Sequence, residues 1–181
     1  MADNKASKFT IRIPSYPSDI PAIRGLFTAY ALSIGIDLSF QNFEAELASL
    51  PGKYASPNGA VLLAFLNGSD GEEAIGCIAV RPLPSPTNIT VNGQSPKVCE
   101  MKRLYCTPAS RGLGVGRALA ENLIEIAEEF EYDEMRLDTL PSMEGARKLY
   151  HSLGFVDIDA YYETPLEGTI FLSKRLSPRR G

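Results

Sequence analysis

The chain has 181 residues, 44% hydrophobic and 22% charged, which excludes a fully disordered chain and is enough for one domain with a real core. Eighteen Lys and Arg against 22 Asp and Glu give a formal net charge of −4, which argues against a general nucleic-acid binder. A single His, His151, excludes a multi-His metal site, and three widely spaced cysteines (Cys77, Cys99, Cys106) read as buried thiols of a reducing compartment.

Residues 1–7 are polar and read as a loose tail before one domain over 8–176. Phe9, Ile11 and Ile13 alternate with polar residues, the period of a half-buried strand. Ser18 or Asp19 is placed to cap a helix with Pro21 in its first turn. Its apolar face is Ile20, Ile23, Phe27, Tyr30 and Ile34, and Gly35 ends it. A second helix is expected from Ser39, with Phe40, Phe43, Leu47 and Leu50 on one face and Pro51-Gly52 as its stop. Ala60–Leu66 and Ala74–Arg81 read as a hairpin about the turn signal 67–71. The Pro-rich stretch 82–96 reads as a long loop, and Lys97–Cys106 as a strand.

Arg111–Phe130 carries the clearest helical pattern, with the stripe Val115, Leu119, Leu123, Ile126 and Phe130. Met135–Thr139 reads as a strand. A helix capped by Ser142 follows, carrying Ala146, Leu149, Tyr150 and Leu153, and Gly154 is placed to end it in the left-handed conformation. Phe155–Ile158 and Gly168–Ser173 are the last strands, and residues 177–181 form a short basic tail. The order is β-α-α-β-β-β-α-β-α-β-β, with a parallel pair joined by a right-handed crossover over residues 97–139. No stretch approaches the roughly 20 apolar residues of a membrane span, and the N-terminus lacks a signal peptide's apolar stretch. The expectation is a cytoplasmic protein without membrane or nucleic-acid partners, a nuclear pool staying open.

Arg111-Gly-Leu-Gly-Val-Gly-Arg117 lies between a strand and a helix, where backbone N–H groups and the helix dipole can hold a phosphate. Gly112, Gly114 and Gly116 allow close approach of the main chain to an anion, and Arg111 and Arg117 add positive charge. The dinucleotide fingerprint is rejected because its third Gly falls on Arg117, and the Walker loop because no Lys-Ser or Lys-Thr follows Gly116. A ligand-free connector is the alternative.

Arg111-x-x-Gly114-x-Gly116, after a strand ending Arg103-Leu-Tyr-Cys-Thr-Pro108, resembles the acyl-CoA-binding signature of the GCN5-related N-acetyltransferase (GNAT) family. Ala146-Arg-Lys-Leu-Tyr150-His-Ser-Leu-Gly154-Phe155 resembles that family's second segment, and the element order matches over roughly 8–176. The resemblance implies an α/β (α+β) fold of the acyl-CoA N-acyltransferase type: a mixed, mostly antiparallel sheet, a splayed parallel pair, and helices on both faces. It implies acetyl-CoA as co-substrate and no metal. Its pyrophosphate would lie on Arg111, Gly112, Gly114, Val115, Gly116 and Arg117, and its pantetheine along the backbone of Leu104 and Cys106. Met143 departs from the family's pattern, which has Asn there in many members, and Ser142 is the nearest replacement.

Transfer to an amine needs a base, because free α-amines titrate near ~8 and lysine near ~10.4. Glu100, eleven residues before Arg111, is the candidate base, against an ordinary exposed strand Glu. Tyr150 is the candidate acid for the leaving thiolate, against a core Tyr. Cys106 reads as a wall residue and His151 as a surface or packing residue. Tyr30, Tyr161 and Tyr162 are candidate acceptor-side residues. The function implied is transfer of an acetyl group to a primary amine of a small molecule, by direct attack through a tetrahedral intermediate. Acetylation of protein N-termini or lysines, and acyl-CoA binding without turnover, are the alternatives; a homodimer stays open.

Overall fold

The structure is a computed structural model whose described residues are 8–68, 71–85 and 95–177. The expected N-terminal tail, the hairpin tip, the middle of the Pro-rich loop and the basic tail beyond residue 177 lie outside them. Seven strands and four α-helices follow the expected order: β1 (Phe9–Arg12), α1 (Ile20–Ile34), α2 (Phe43–Ala48), β2 (Ala60–Gly68), β3 (Gly71–Leu83), β4 (Val98–Cys106), α3 (Val115–Glu129), β5 (Glu134–Thr139), α4 (Glu144–Ser152), β6 (Val156–Ile158) and β7 (Ile170–Arg175). They form one sheet in the order β1-β2-β3-β4-β5-β7-β6. Every pairing is antiparallel except β4 with β5.

The apolar run of β2 is explained by burial on both faces. Ala60, Leu62 and Ala64 join the core under α3, while Val61, Leu63 and Phe65 join the core under α1 and α2. A strand alternates its side chains across the sheet, so a strand covered on both sides must be apolar throughout. The buried stripe of α3 is Val115, Leu119, Ala120, Leu123, Ile124 and Ala127, whereas Ile126 and Phe130 are only partly buried beside it. The two Ala let the helix lie close to the strands.

Strand ends shift by up to three residues, and at four helix starts the structure departs from the sequence reading for a local reason. The second helix is broken: a 3-10 turn, Ser39–Gln41, precedes α2, with Asn42 left-handed (φ 56°) between them. Helix α3 starts at Val115 and not Arg111, because Gly112 (φ 72°) and Gly114 (φ 76°) are left-handed. Met143, not Ser142, stands at the N-cap of α4, with no side-chain cap. Asp19 caps no helix N–H; its carboxylate takes Arg12 at 2.6 Å and the Ser15 N–H at 2.7 Å. Gly35 (φ 63°) and Gly154 (φ 88°) end their helices left-handed, as expected.

Gly76 sets how closely α3 lies on β3. A Cβ there would stand 3.1 Å from Leu119 Cδ1, Val115 Cγ1 and the Tyr105 carbonyl oxygen. The first turn of α3 therefore rests directly on the sheet. Gly76→Ala should destabilise the fold by about 1–3 kcal/mol, the usual result of overpacking a tight contact, which urea denaturation would read as a lower midpoint.

Candidate active site

The ladder between β4 and β5 is short. It runs only through Val98↔Glu134, Cys99↔Met135 and Glu100↔Arg136. Beyond Glu100 the edge of β4 that faces β5 has no ladder partner, and the two strands part. The cause lies in β4. Arg103 has φ 59°, and the register against β3 slips by one residue between Ala79↔Lys102 and Cys77↔Tyr105, a bulge. A non-glycine residue in that region stays there only when its surroundings hold it. Arg103 is held: Nε and Nη2 donate to Glu46 at 2.8 and 3.2 Å, Nη1 donates to Gln41, and its carbonyl accepts from Cys77 Sγ. Burial pulls its guanidinium down, but the hydrogen bonds and charge of Glu46 outweigh that and raise it.

The gap is lined by Tyr30, Leu104, Asp138, Thr139, Met143 and Tyr150, among others. Tyr150 is buried and meets Phe155 edge-on, ring centroids 5.9 Å apart. Burial raises its phenol well above the ordinary value, so it stays protonated at neutral pH. Met143 Sδ accepts a weak hydrogen bond from Thr139 at 3.7 Å, which is what stands in place of the expected Asn.

On the α3 side of the gap lies a cavity of about 570 Å³. Arg111, Gly112, Gly114, Val115, Gly116, Arg117 and Cys106 all line it, so the structure brings the expected loop residues together. A Cβ on Gly112 or Gly114 would meet nothing within 4 Å, and the first turn of α3 has no side-chain cap for its N–H groups. The buried Thr107 hydroxyl at this cavity has no hydrogen-bond partner among the described residues. Unmet N–H donors at a helix start suit an anion. Arg117 is partly engaged, donating to Ser152 at 2.7 Å and Glu121 at 3.3 Å. Burial raises the Cys106 thiol, so it is a wall residue and not a thiolate. His151 is exposed beside Asp157 (3.5 Å), away from the site.

On the other side lies a cavity of about 410 Å³. Lys102 and Arg103 line both it and the gap, so the two spaces adjoin. Tyr161 and Tyr162 line it and form an edge-to-face triangle with Phe171, centroids 5.1–5.4 Å apart. Tyr30 lies instead on the gap, with the Arg103 guanidinium 5.6 Å from its ring centroid. The three tyrosines expected on the acceptor side are thus split between two adjoining spaces.

Glu100 is on the floor of this cavity, and its side chain is 1% exposed, which corrects the reading of an ordinary exposed strand Glu. Its oxygens are already engaged. Arg81 Nε and Nη2 each stand 2.7 Å from Oε2, and the Tyr161 hydroxyl donates to Oε1 at 2.8 Å. Burial lowers Arg81, but the Glu100 charge overcomes this and raises it. Sequence reasoning missed Arg81, Lys102, Arg103, Asp138 and Glu46. One signal was available: Glu100 and Lys102 share a face of a central strand, so they must line a cavity or pair.

Residues 29–155 match the family model described as "Acetyltransferase (GNAT) family". The chain belongs to the GNAT acetyltransferase family. An uncharacterized N-acetyltransferase of Schizosaccharomyces pombe is 35% identical over 173 residues, covering 96% of this chain and 98% of the relative. Among solved structures, an acetyltransferase from Streptococcus agalactiae superposes with a TM-score of 0.70 at 19% identity, covering 93% of this chain and 99% of that one. Salmonella typhimurium yncA, solved with its cofactor acetyl-CoA, gives a TM-score of 0.59 at 21% identity, covering 93% and 94%. Among the described residues, no cluster of three or more His, Cys, Asp or Glu is placed to hold a metal ion.

The Arg103–Glu46 pair, 1% and 9% exposed, is nearly dry. Arg103→Ala strands the Glu46 charge and should cost about 3–5 kcal/mol. Replacing both residues with Met should recover much of that loss in urea denaturation.

Proposed function

We propose that this chain transfers an acetyl group from acetyl-CoA to the primary amine of a small molecule. The observation that carries the reading is the pair of spaces meeting at the β4–β5 gap: a glycine-lined groove at a helix start on one side, and a cavity of about 410 Å³ on the other. That volume is in the range of small-ligand sites, roughly 300–1,000 Å³. A protein N-terminus or lysine is the alternative acceptor.

Acetyl-CoA, when bound, supplies the acyl group as an activated thioester. The N–H groups of residues 112–117 bind its pyrophosphate, and the unpaired edge of β4 beyond Glu100 offers backbone groups to the pantetheine arm, as in strand addition. Leu104 and Cys106 wall that arm. Tyr150 holds a proton at its hydroxyl, ready for the leaving sulfur. Arg81, Glu100 and Tyr161 form the floor on the acceptor's side.

Three outcomes test this. Thiol release from acetyl-CoA over a panel of small amines, with a short peptide bearing a free N-terminus and a lysine, should be fastest for a small amine. Gly114→Val should weaken acetyl-CoA binding at least tenfold, about 1.4 kcal/mol, in calorimetry on the folded variant, because the new side chain enters the groove. Tyr150→Phe keeps the ring contact with Phe155, so the fold and acetyl-CoA affinity should hold. Its single-turnover rate should fall roughly 10²–10⁴-fold, the usual worth of a positioned acid.

A further inference from the structure

The reaction needs a carboxylate free to take a proton, and the one at the floor is already engaged. Glu100 has two guanidinium nitrogens on one oxygen and a tyrosine hydroxyl on the other. A second carboxylate lies nearer the gap. Asp138, on β5, alternates with the core residues Leu137 and Thr139, so its side chain leaves the sheet on the face opposite Leu137. It lines the gap together with Tyr150, and no other carboxylate among the described residues lines that gap. Its side chain keeps 17% exposure, against 1% for Glu100.

Resting on the acetyl-transfer reading above, we propose that Asp138 is the catalytic base that takes the amine proton, and that Lys102 is the residue that positions it. Lys102 Nζ donates to Asp138 Oδ1 at 2.9 Å and the Tyr162 phenol lies against the same carboxylate, whose remaining 17% exposure is the side open to the incoming amine. Lys102 also lines both the gap and the acceptor cavity, so the carboxylate it holds stands where the two spaces meet.

The groups facing Asp138 come from every element around it. Lys102 faces it from β4, with Glu100 beyond, 3.9 Å from Nζ. Tyr30 faces it from α1 and Tyr150 from α4. Tyr161 and Tyr162 face it from the loop before β7. Burial raises all four phenols, so each is neutral; the charged groups around Asp138 are Lys102 and Arg103 on β4, both lining the gap, and the Glu100–Arg81 pair beyond Lys102.

The step balances. The ammonium form of the amine first gives one proton to Asp138, which releases it to solvent. The nitrogen's electron pair then forms the N–C bond while the carbonyl π pair moves to oxygen, giving the tetrahedral intermediate. Its collapse re-forms the C=O bond and breaks the C–S bond; the Tyr150 proton passes to the sulfur, and the nitrogen's second proton passes to Asp138, which returns it to Tyr150 across the gap. The net change is ammonium plus thioester to amide, thiol and one released proton.

Asp138→Asn tests it, because the amide is isosteric and still accepts from Lys102. The single-turnover rate at pH 7 with the best amine of the panel should fall roughly 10²–10⁴-fold. The deficit should shrink as pH rises towards the amine's own pKa, where the amine arrives already deprotonated. Asp138→Glu should recover part of the rate. Asp138→Asn within about threefold of wild type, well short of a catalytic base's usual worth, overturns the proposal. So does a loss of equal size at every pH, which marks a structural role. Wild-type thiol release and acetyl-CoA binding by the variant report separately on the parent reading.

Discussion

The site depends on one ion pair. Glu46 holds Arg103, which is itself the left-handed residue in the middle of β4, and the bulge lies just beyond the end of the ladder to β5 at Glu100. Two parallel strands in a sheet interior otherwise pair along their whole shared length, because unpaired buried backbone groups are costly. Here the ion pair ties α2 to β4, adding to the buried Phe43, the packed Leu47 and the Arg24 hydrogen bond to the Leu47 carbonyl. The pair thus joins α2 to β4, whose Tyr105 and Cys106 line the glycine-rich groove.

A second pattern crosses the sheet at the same level. Arg81 on β3 pairs with Glu100 on β4 directly opposite it, and Lys102 on β4 pairs with Asp138 on β5. In this pattern β4 carries one charge of each sign, Glu100 paired towards β3 and Lys102 towards β5. Each is largely out of water, so each needs its neighbour. The floor of the cavity of about 410 Å³ is therefore polar and made of paired charges. It is pre-set before any acceptor arrives, the arrangement under which fixed charges act most strongly on a reacting centre.

Much of this was legible in the sequence, and the reasons differ by feature. The order of elements followed from period-2 and period-3.6 patterns and from Gly35 and Gly154 as stops. The groove followed from Gly112, Gly114 and Gly116 between a strand and a helix. Tyr150 was singled out by its helical segment. The bulge was not legible, because no glycine marks it: Arg103 takes a positive φ that only its tertiary contacts with Glu46 and Gln41 support. The partners of Glu100 were hidden for a related reason. Arg81 and Tyr161 lie 19 and 61 residues away, and only the sheet register and the late loop bring them together. Asp138 was in view as a polar residue of an alternating strand, but nothing local tells a solvent-facing Asp from one turned into a gap.

The central claim is that the β4–β5 gap is where acyl donor and acceptor meet. A crystal structure of the acetyl-CoA complex tests it most directly. The account predicts pyrophosphate oxygens on the N–H groups of residues 112–117, the pantetheine along β4 past Leu104, and the sulfur within hydrogen-bonding distance of the Tyr150 hydroxyl. Acetyl-CoA bound with its thioester outside the gap, or with its sulfur remote from Tyr150, would contradict it.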